Sequence, residues 1–198
     1  MAEAEVMPGR LALVADHLVM ALRAPGPAEG ATFVLSWYSI AYSSAAPGGN
    51  LAFVRTSAVP GGESILTDAP DLDRVVRPRL TPRSWPLARP DATALEATFT
   101  RTPIRDGGLE ATIVADGLRI EVAWRELGPP IVATGRVGAD PPWDSSTVLI
   151  EAGAWSAAVN DRPIDGTAFP NDVWRRWFDR PLSSALVAVA EVFREVGA

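Results

Sequence analysis

Asp116-Gly117 stands between two runs of alternating apolar and polar residues, and that pattern leaves residues 109–124 little choice but a two-residue β-hairpin. Counting outward from the turn pairs Ala115 with Leu118, Ile113 with Ile120, Ala111 with Val122 and Leu109 with Trp124, all apolar. The other face carries Val114, Thr112, Glu110, Arg119 and Glu121. One side is therefore buried and the register is set, because a one-residue slip turns every apolar side chain to solvent.

The neighbouring segments continue as a meander. Leu95, Ala97 and Phe99 alternate with Glu96, Thr98 and Thr100, and residues 105–108 turn into the hairpin. Short strands are expected at residues 131–137, 147–152 and 154–159, separated by Gly128-Pro129-Pro130, Pro141-Pro142 and Gly153. Upstream, residues 32–43 and 51–58 read as a longer hairpin.

Two segments read as helical. Leu182, Ala185, Leu186, Val189 and Phe193 recur at helical spacing, with Asp179 as N-cap and Pro181 in the first turn. Residues 68–77 place Asp71 and Asp73 early and Arg74 and Arg77 late, as the helix dipole favours, with Pro78 ending the helix. The stretch Leu11 to Leu22 suits either a helix or two short strands about Asp16-His17.

The expected fold is thus mainly β: an antiparallel up-and-down β-barrel of about eight strands with a C-terminal helix, or, as the alternative, a two-sheet β-sandwich. The barrel-plus-helix layout resembles the lipocalin-type architecture. That family carries Gly-x-Trp at its first strand, whereas this triplet occurs here as Gly153-Ala154-Trp155, near the end. At 198 residues with 47% hydrophobic content the chain forms one domain, residues 1–198.

Composition removes whole classes of chemistry. The chain has no cysteine, no lysine among its 18 basic residues, and His17 as its sole histidine. Schiff bases, thiolate nucleophiles and Cys/His zinc sites are excluded. A net charge of -6 argues against a nucleic-acid partner. With no basic-apolar leader and no apolar run near 20 residues, a cytoplasmic protein without membrane insertion is expected. No motif demands a cofactor or a metal: Asp68, Asp71 and Asp73 do not match a calcium loop, and helix capping accounts for them. A serine triad would have to use His17, yet no serine is marked as its partner, and an ordinary histidine beside Asp16 remains the simpler reading. Glu110 and Glu121 fall on the solvated hairpin face.

What remains is tyrosine, tryptophan, arginine and carboxylate. Residues 74–90 carry five arginines and no acidic residue, with Pro78, Pro82, Pro86 and Pro90 forcing an extended crossing. Arg83, Trp85 and Arg89 on that crossing suit a ligand with an anionic group, or they pair with the acidic surface. Trp37 lies on a strand apolar on both faces, where Tyr38 and Tyr42 bring hydroxyls into an apolar cavity or serve as core tyrosines. Trp143 and Asp144 sit on a turn at one end of the sheet, as ligand contacts or as a loop cap. Trp174 and Trp177 pack the C-terminal helix.

These residues suit a shaped pocket. The expected function is binding of a small hydrophobic or amphipathic organic molecule, as a carrier or as a cofactor-independent cyclase or isomerase. The alternative is a β-sandwich protein–protein interaction module whose exposed aromatics meet a partner. Hydrolysis through Asp144 and Glu151 ranks third, since nothing in the sequence brings these two carboxylates together.

Overall fold

The computed structural model describes residues 9–26, 30–80, 93–105, 107–137, 143–171 and 181–195. Its strands are β1 (Arg10–Leu22), β2 (Phe33–Ser43), β3 (Gly49–Thr56), β4 (Glu63–Thr67), β5 (Leu95–Ile104), β6 (Gly108–Ala115) and β7 (Leu118–Leu127), with helix α1 (Pro70–Leu80) between β4 and β5. They continue as β8 (Ile131–Val137), β9 (Trp143–Val159), β10 (Arg162–Pro163), β11 (Pro170–Asn171), β12 (Leu182–Ser183) and β13 (Ala185–Glu195). The main sheet runs β10-β9-β13-β1-β2-β3-β4-β5-β6-β7, with β8 also on β9. Its hydrogen-bonded path returns to β9 through β7. The sheet is mixed, because β4 and β5 pair in parallel across the α1 connection; a purely up-and-down ladder is not what this chain builds.

The central hairpin forms in the expected register, Ala115 opposite Leu118 and Leu109 opposite Trp124. Both faces of the central strands are covered. On one side Leu18, Met20, Leu22, Phe33, Leu35 and Trp37 meet Ile113, Ile120, Val122 and Trp124. Trp124 Nε1 donates to the Val19 carbonyl oxygen at 2.8 Å, so its indole is buried without an unpaired donor. On the other side Ala21, Val34, Tyr38, Ile40, Leu51, Phe53 and Ile65 form one apolar group with Leu72 and Val76 of α1 and with Trp143 and Phe193. A smaller group on this second side joins Val19, Ala133, Leu149, Leu186 and Ala188. Two buried faces explain why β1 is an almost unbroken apolar run, so Leu11 to Leu22 resolves as strand.

The helix expected over residues 182–193 is not formed there: Ala185–Glu195 is strand β13, between β1 and β9. Leu186, Ala188, Glu191 and Phe193 face one side at intervals of two, three and two residues, because one extra residue bulges out at Ala190. A strand with such a bulge repeats its buried face every seven residues, as a helix does. The lipocalin-like layout loses its terminal helix with this correction. Asp179, Trp174 and Trp177 lie outside the described residues.

Two further boundaries shift. The separate strands expected at 147–152 and 154–159 are one strand, β9. Gly153 does not end it; a Cβ there would meet Glu126 backbone and side chain at 3.2 Å, so glycine serves the close approach of β7. In α1 Asp71 and Asp73 occupy the first turn as expected, but the helix continues past Pro78 to Leu80.

Candidate functional site

Polar residues break the apolar pattern of the second face where β1, β2 and β13 run side by side. His17 on β1 is directly opposite Tyr38 on β2 and Ala188 on β13. Tyr38 stacks on the imidazole with ring centroids 3.8 Å apart and planes 14° from parallel. Ser36, two residues before Tyr38 on the same face, places Oγ 2.8 Å from His17 Nε2. Glu191 completes the group, with Oε2 3.6 Å from His17 Nδ1. All four residues are buried: His17 and Glu191 are 1% exposed, Tyr38 3% and Ser36 4%.

The bulge puts Glu191 there. Between the Ala15–Glu191 and His17–Ala188 pairs β13 spends three residues against two on β1, and Ala190 takes a φ of 50°. The extra residue switches the parity of the strand, so Glu191 turns in toward His17 instead of joining the opposite side. Asp16 holds the bulge from the outer face. Its Oδ1 accepts the Ala190 N–H at 3.0 Å while its Oδ2 accepts from Arg101 Nη1 at 2.9 Å.

Burial sets the protonation states. Desolvation lowers the His17 pKa to about 3 and raises that of Glu191 to about 8. At neutral pH the pair is therefore an uncharged imidazole beside a protonated carboxyl, and the 3.6 Å contact is not an ion pair. Tyr38 is pushed well above the usual phenol range, first by burial and then by the Glu191 charge, against the opposing hydrogen bond with Ser36. Hydrogen bonds thus link Tyr38, Ser36 and His17, and Glu191 lies beside the other edge of the imidazole at 3.6 Å without a hydrogen bond to it.

Next to Glu191, strand β9 contributes Ser145, fully buried, and Thr147, 2% exposed. Ser145 pairs with Phe193 and so shares the Glu191 face. Glu191 Oε2 and Ser145 Oγ are buried and have no hydrogen-bond partner among the described residues. Leaving such a group unpaired costs about 1–3 kcal/mol each, which a bound polar atom would recover.

No family model matches the chain, and no curated protein matches it. Among solved structures, an acetoacetate decarboxylase from Legionella pneumophila is similar over 98% of this chain and 90% of that one, with 10% identity and a TM-score of 0.38.

Of the residues singled out from the sequence, Tyr38 and Trp143 reach this face. Trp143 is not on a turn: it starts β9, is 7% exposed and lies 5.6 Å from the Phe193 ring. Tyr42 is 44% exposed near the end of β2 and brings no hydroxyl into an apolar cavity. Asp144 points to the other side of β9 and accepts from Arg136 Nε at 3.0 Å. Glu151, seven residues further along the strand, has the opposite parity, which removes the two-carboxylate hydrolase. Arg83, Trp85 and Arg89 lie outside the described residues.

Glu110 and Glu121 line an open cleft of about 310 Å3 on the polar side of β6, β7 and β9. Arg125 and Arg119 pair with them at 3.0 and 2.6 Å, so they form no acid–base pair. Among the described residues no cluster of His, Asp and Glu could hold a metal ion, and no helix is long and apolar enough to cross a membrane.

The sequence marks His17 as the one histidine, whereas Ser36 went unmarked, a polar residue inside a strand read as apolar on both faces. Glu191 was assigned to a helix, and without the bulge its parity points away from the site.

Proposed function

We propose that this protein binds a small hydrophobic or amphipathic organic molecule on the second face of its sheet, with Glu191, Ser145, Ser36 and Tyr38 as the polar groups that orient it. The observation that carries this reading is a pair of buried polar atoms, Glu191 Oε2 and Ser145 Oγ, that have no hydrogen-bond partner among the described residues and lie in a mostly apolar face. A pocket that is mostly apolar with a few convergent polar groups and shifted pKa values is the usual form of a small-molecule site. The ligand is best uncharged where it meets this cluster, since Glu191 and His17 are both neutral at physiological pH. The path that returns to β9 supports a closed, barrel-like scaffold around which such a site is rigidly held.

The interaction-module reading gains nothing from Trp143, which is buried rather than presented to a partner. Among the described residues the large exposed apolar ones, Tyr42, Leu95, Val114, Val132 and Val189, lie on five different strands.

Native mass spectrometry of protein purified from its own host tests the proposal. A retained organic molecule, released on denaturation and lost in Ser145→Val with Glu191→Leu, is the expected result. A bare polypeptide mass, together with no ligand-induced shift in Tm across a library of uncharged amphiphiles, would overturn it.

A further inference from the structure

Glu191 and Ser145 do more than satisfy a ligand. A carboxyl group and a hydroxyl, on adjacent strands and facing one apolar side, are the two parts needed to move a proton along a carbon skeleton: a base for carbon and a donor for oxygen. We propose that Glu191 is the base, and Ser145 the oxyanion donor, of a cofactor-free allylic isomerisation of a neutral β,γ-unsaturated ketone. This rests on the binding reading above and assigns it a reaction.

The step balances without an oxidant or a second substrate. The Glu191 carboxylate takes the proton from the carbon between carbonyl and alkene. The C–H electron pair moves onto the carbonyl oxygen as a dienolate, which accepts a hydrogen bond from Ser145 Oγ. The protonated Glu191 then returns the proton to the far alkene carbon, the double bond moves into conjugation, and the carboxylate is regenerated. Lysine and cysteine have no part in this chemistry, so their absence does not weigh against it.

His17 is a positioning residue. Ser36 fixes its ring at 2.8 Å on one edge, the other edge faces Glu191 at 3.6 Å, and Tyr38 stacks on it. His17 and Tyr38 are the titratable groups that meet Glu191 among the described residues. Only ionised Glu191 can act as base, so kcat/KM rises about tenfold per pH unit and levels above about 8.

The test uses the full chain with a β,γ-unsaturated cyclohexenone, followed by the ultraviolet absorbance of the conjugated product, and cyclohexanone in heavy water, followed by deuterium uptake at the α-carbon. Binding of both ketones is read separately by ligand-observed NMR. Expected are product and deuterium uptake with the wild type, a loss of about 10²-fold or more in Glu191→Gln with binding retained, and about 10²-fold in Ser145→Ala. His17→Gln should shift the pH midpoint of the rate rather than abolish it, which a purely structural histidine would not do. Ketones that bind without isomerisation or exchange overturn the proposal and leave the binding reading intact. Ketones that do not bind overturn the substrate class, and the retained-ligand measurement then decides the binding reading alone.

Discussion

Raising the pH from about 6.5 to 8 is expected to weaken this fold by about 2 kcal/mol, through one side chain. Glu191 ionises near 4.5 in an unfolded chain, whereas burial pushes its folded pKa up to about 8. Between those values the unfolded state holds fewer protons than the folded state, so stability falls as pH rises. At about 1.4 kcal/mol per unit, the whole window amounts to at most about 5 kcal/mol. His17 works in the opposite sense. Its pKa falls from 6.5 to about 3 on folding, so between these values the unfolded state holds more protons and stability rises with pH. The two slopes cancel between about 4.5 and 6.5. The expected profile climbs above about pH 3, is level through that window, and descends from 6.5 until Glu191 is ionised in both states above about 8.

Urea unfolding at closely spaced pH values reads this directly, and with m in the usual range of about 1–3 kcal/mol per molar the descent moves the midpoint by about 1 M. Glu191→Gln should remove the alkaline descent and leave a rise that continues to about pH 6.5. The reasoning fails if the wild type is instead most stable near pH 8 and Glu191→Gln abolishes that maximum. Such a result would mean that His17 and Glu191 form a charged pair whose attraction exceeds the cost of desolvation.

The device that aims Glu191 makes separate predictions. Asp16→Ala removes acceptors from both the Ala190 N–H and Arg101; it should cost about 1–2 kcal/mol in denaturant unfolding. Arg101→Ala, which breaks only the one-third-exposed ion pair, should cost under about 1 kcal/mol. Ala190→Gly relieves a left-handed backbone at φ 50° and should be neutral or stabilising by up to about 1 kcal/mol. Deleting Ala190 should prevent folding as judged by circular dichroism, since Glu191 would leave this face and the buried Phe193, worth about 3–5 kcal/mol, would leave with it.

How much of this was legible in the sequence depends on where the information lies. The hairpin of β6 and β7 was read pair by pair because Asp116-Gly117 sets its turn locally and one face meets water, so polarity reports parity. The β2–β3 hairpin was legible only as two apolar runs parted by residues 44–50, since both its faces are buried and polarity there does not report parity. The end of the chain was not. Residues 185–188 are buried on both faces, which erases alternation, and the Ala190 bulge then imposes helical spacing on the residues beyond it. The bulge itself is fixed by Asp16, some 174 residues away, and no local pattern carries a contact of that separation. The candidate site was half legible for the same cause: His17, Ser36 and Tyr38 keep the parity of their strands, and Glu191 does not.

The same bulge bears on function. A strand that needed only to fill the space between β1 and β9 could keep its alternation and put an apolar side chain where Glu191 now meets His17. Instead β13 adopts a left-handed residue whose N–H donates to Asp16, itself anchored by Arg101, and thereby turns an acid into an apolar core. Each part of this is locally unfavourable: strain at Ala190, desolvation of Glu191, and an unpaired hydroxyl at Ser145. Groups that break the local rules together, at one place, are better explained by a shared task than by independent tolerance. In the proposed isomerase that task is proton transfer by the Glu191 carboxyl, and ionisation of that same carboxyl is what weakens the fold. Glu191→Leu should accordingly be more stable than the wild type at pH 8 and have no isomerase activity. A Glu191→Leu variant that is less stable there would show that the carboxyl serves the fold, and the catalytic assignment would fall with it.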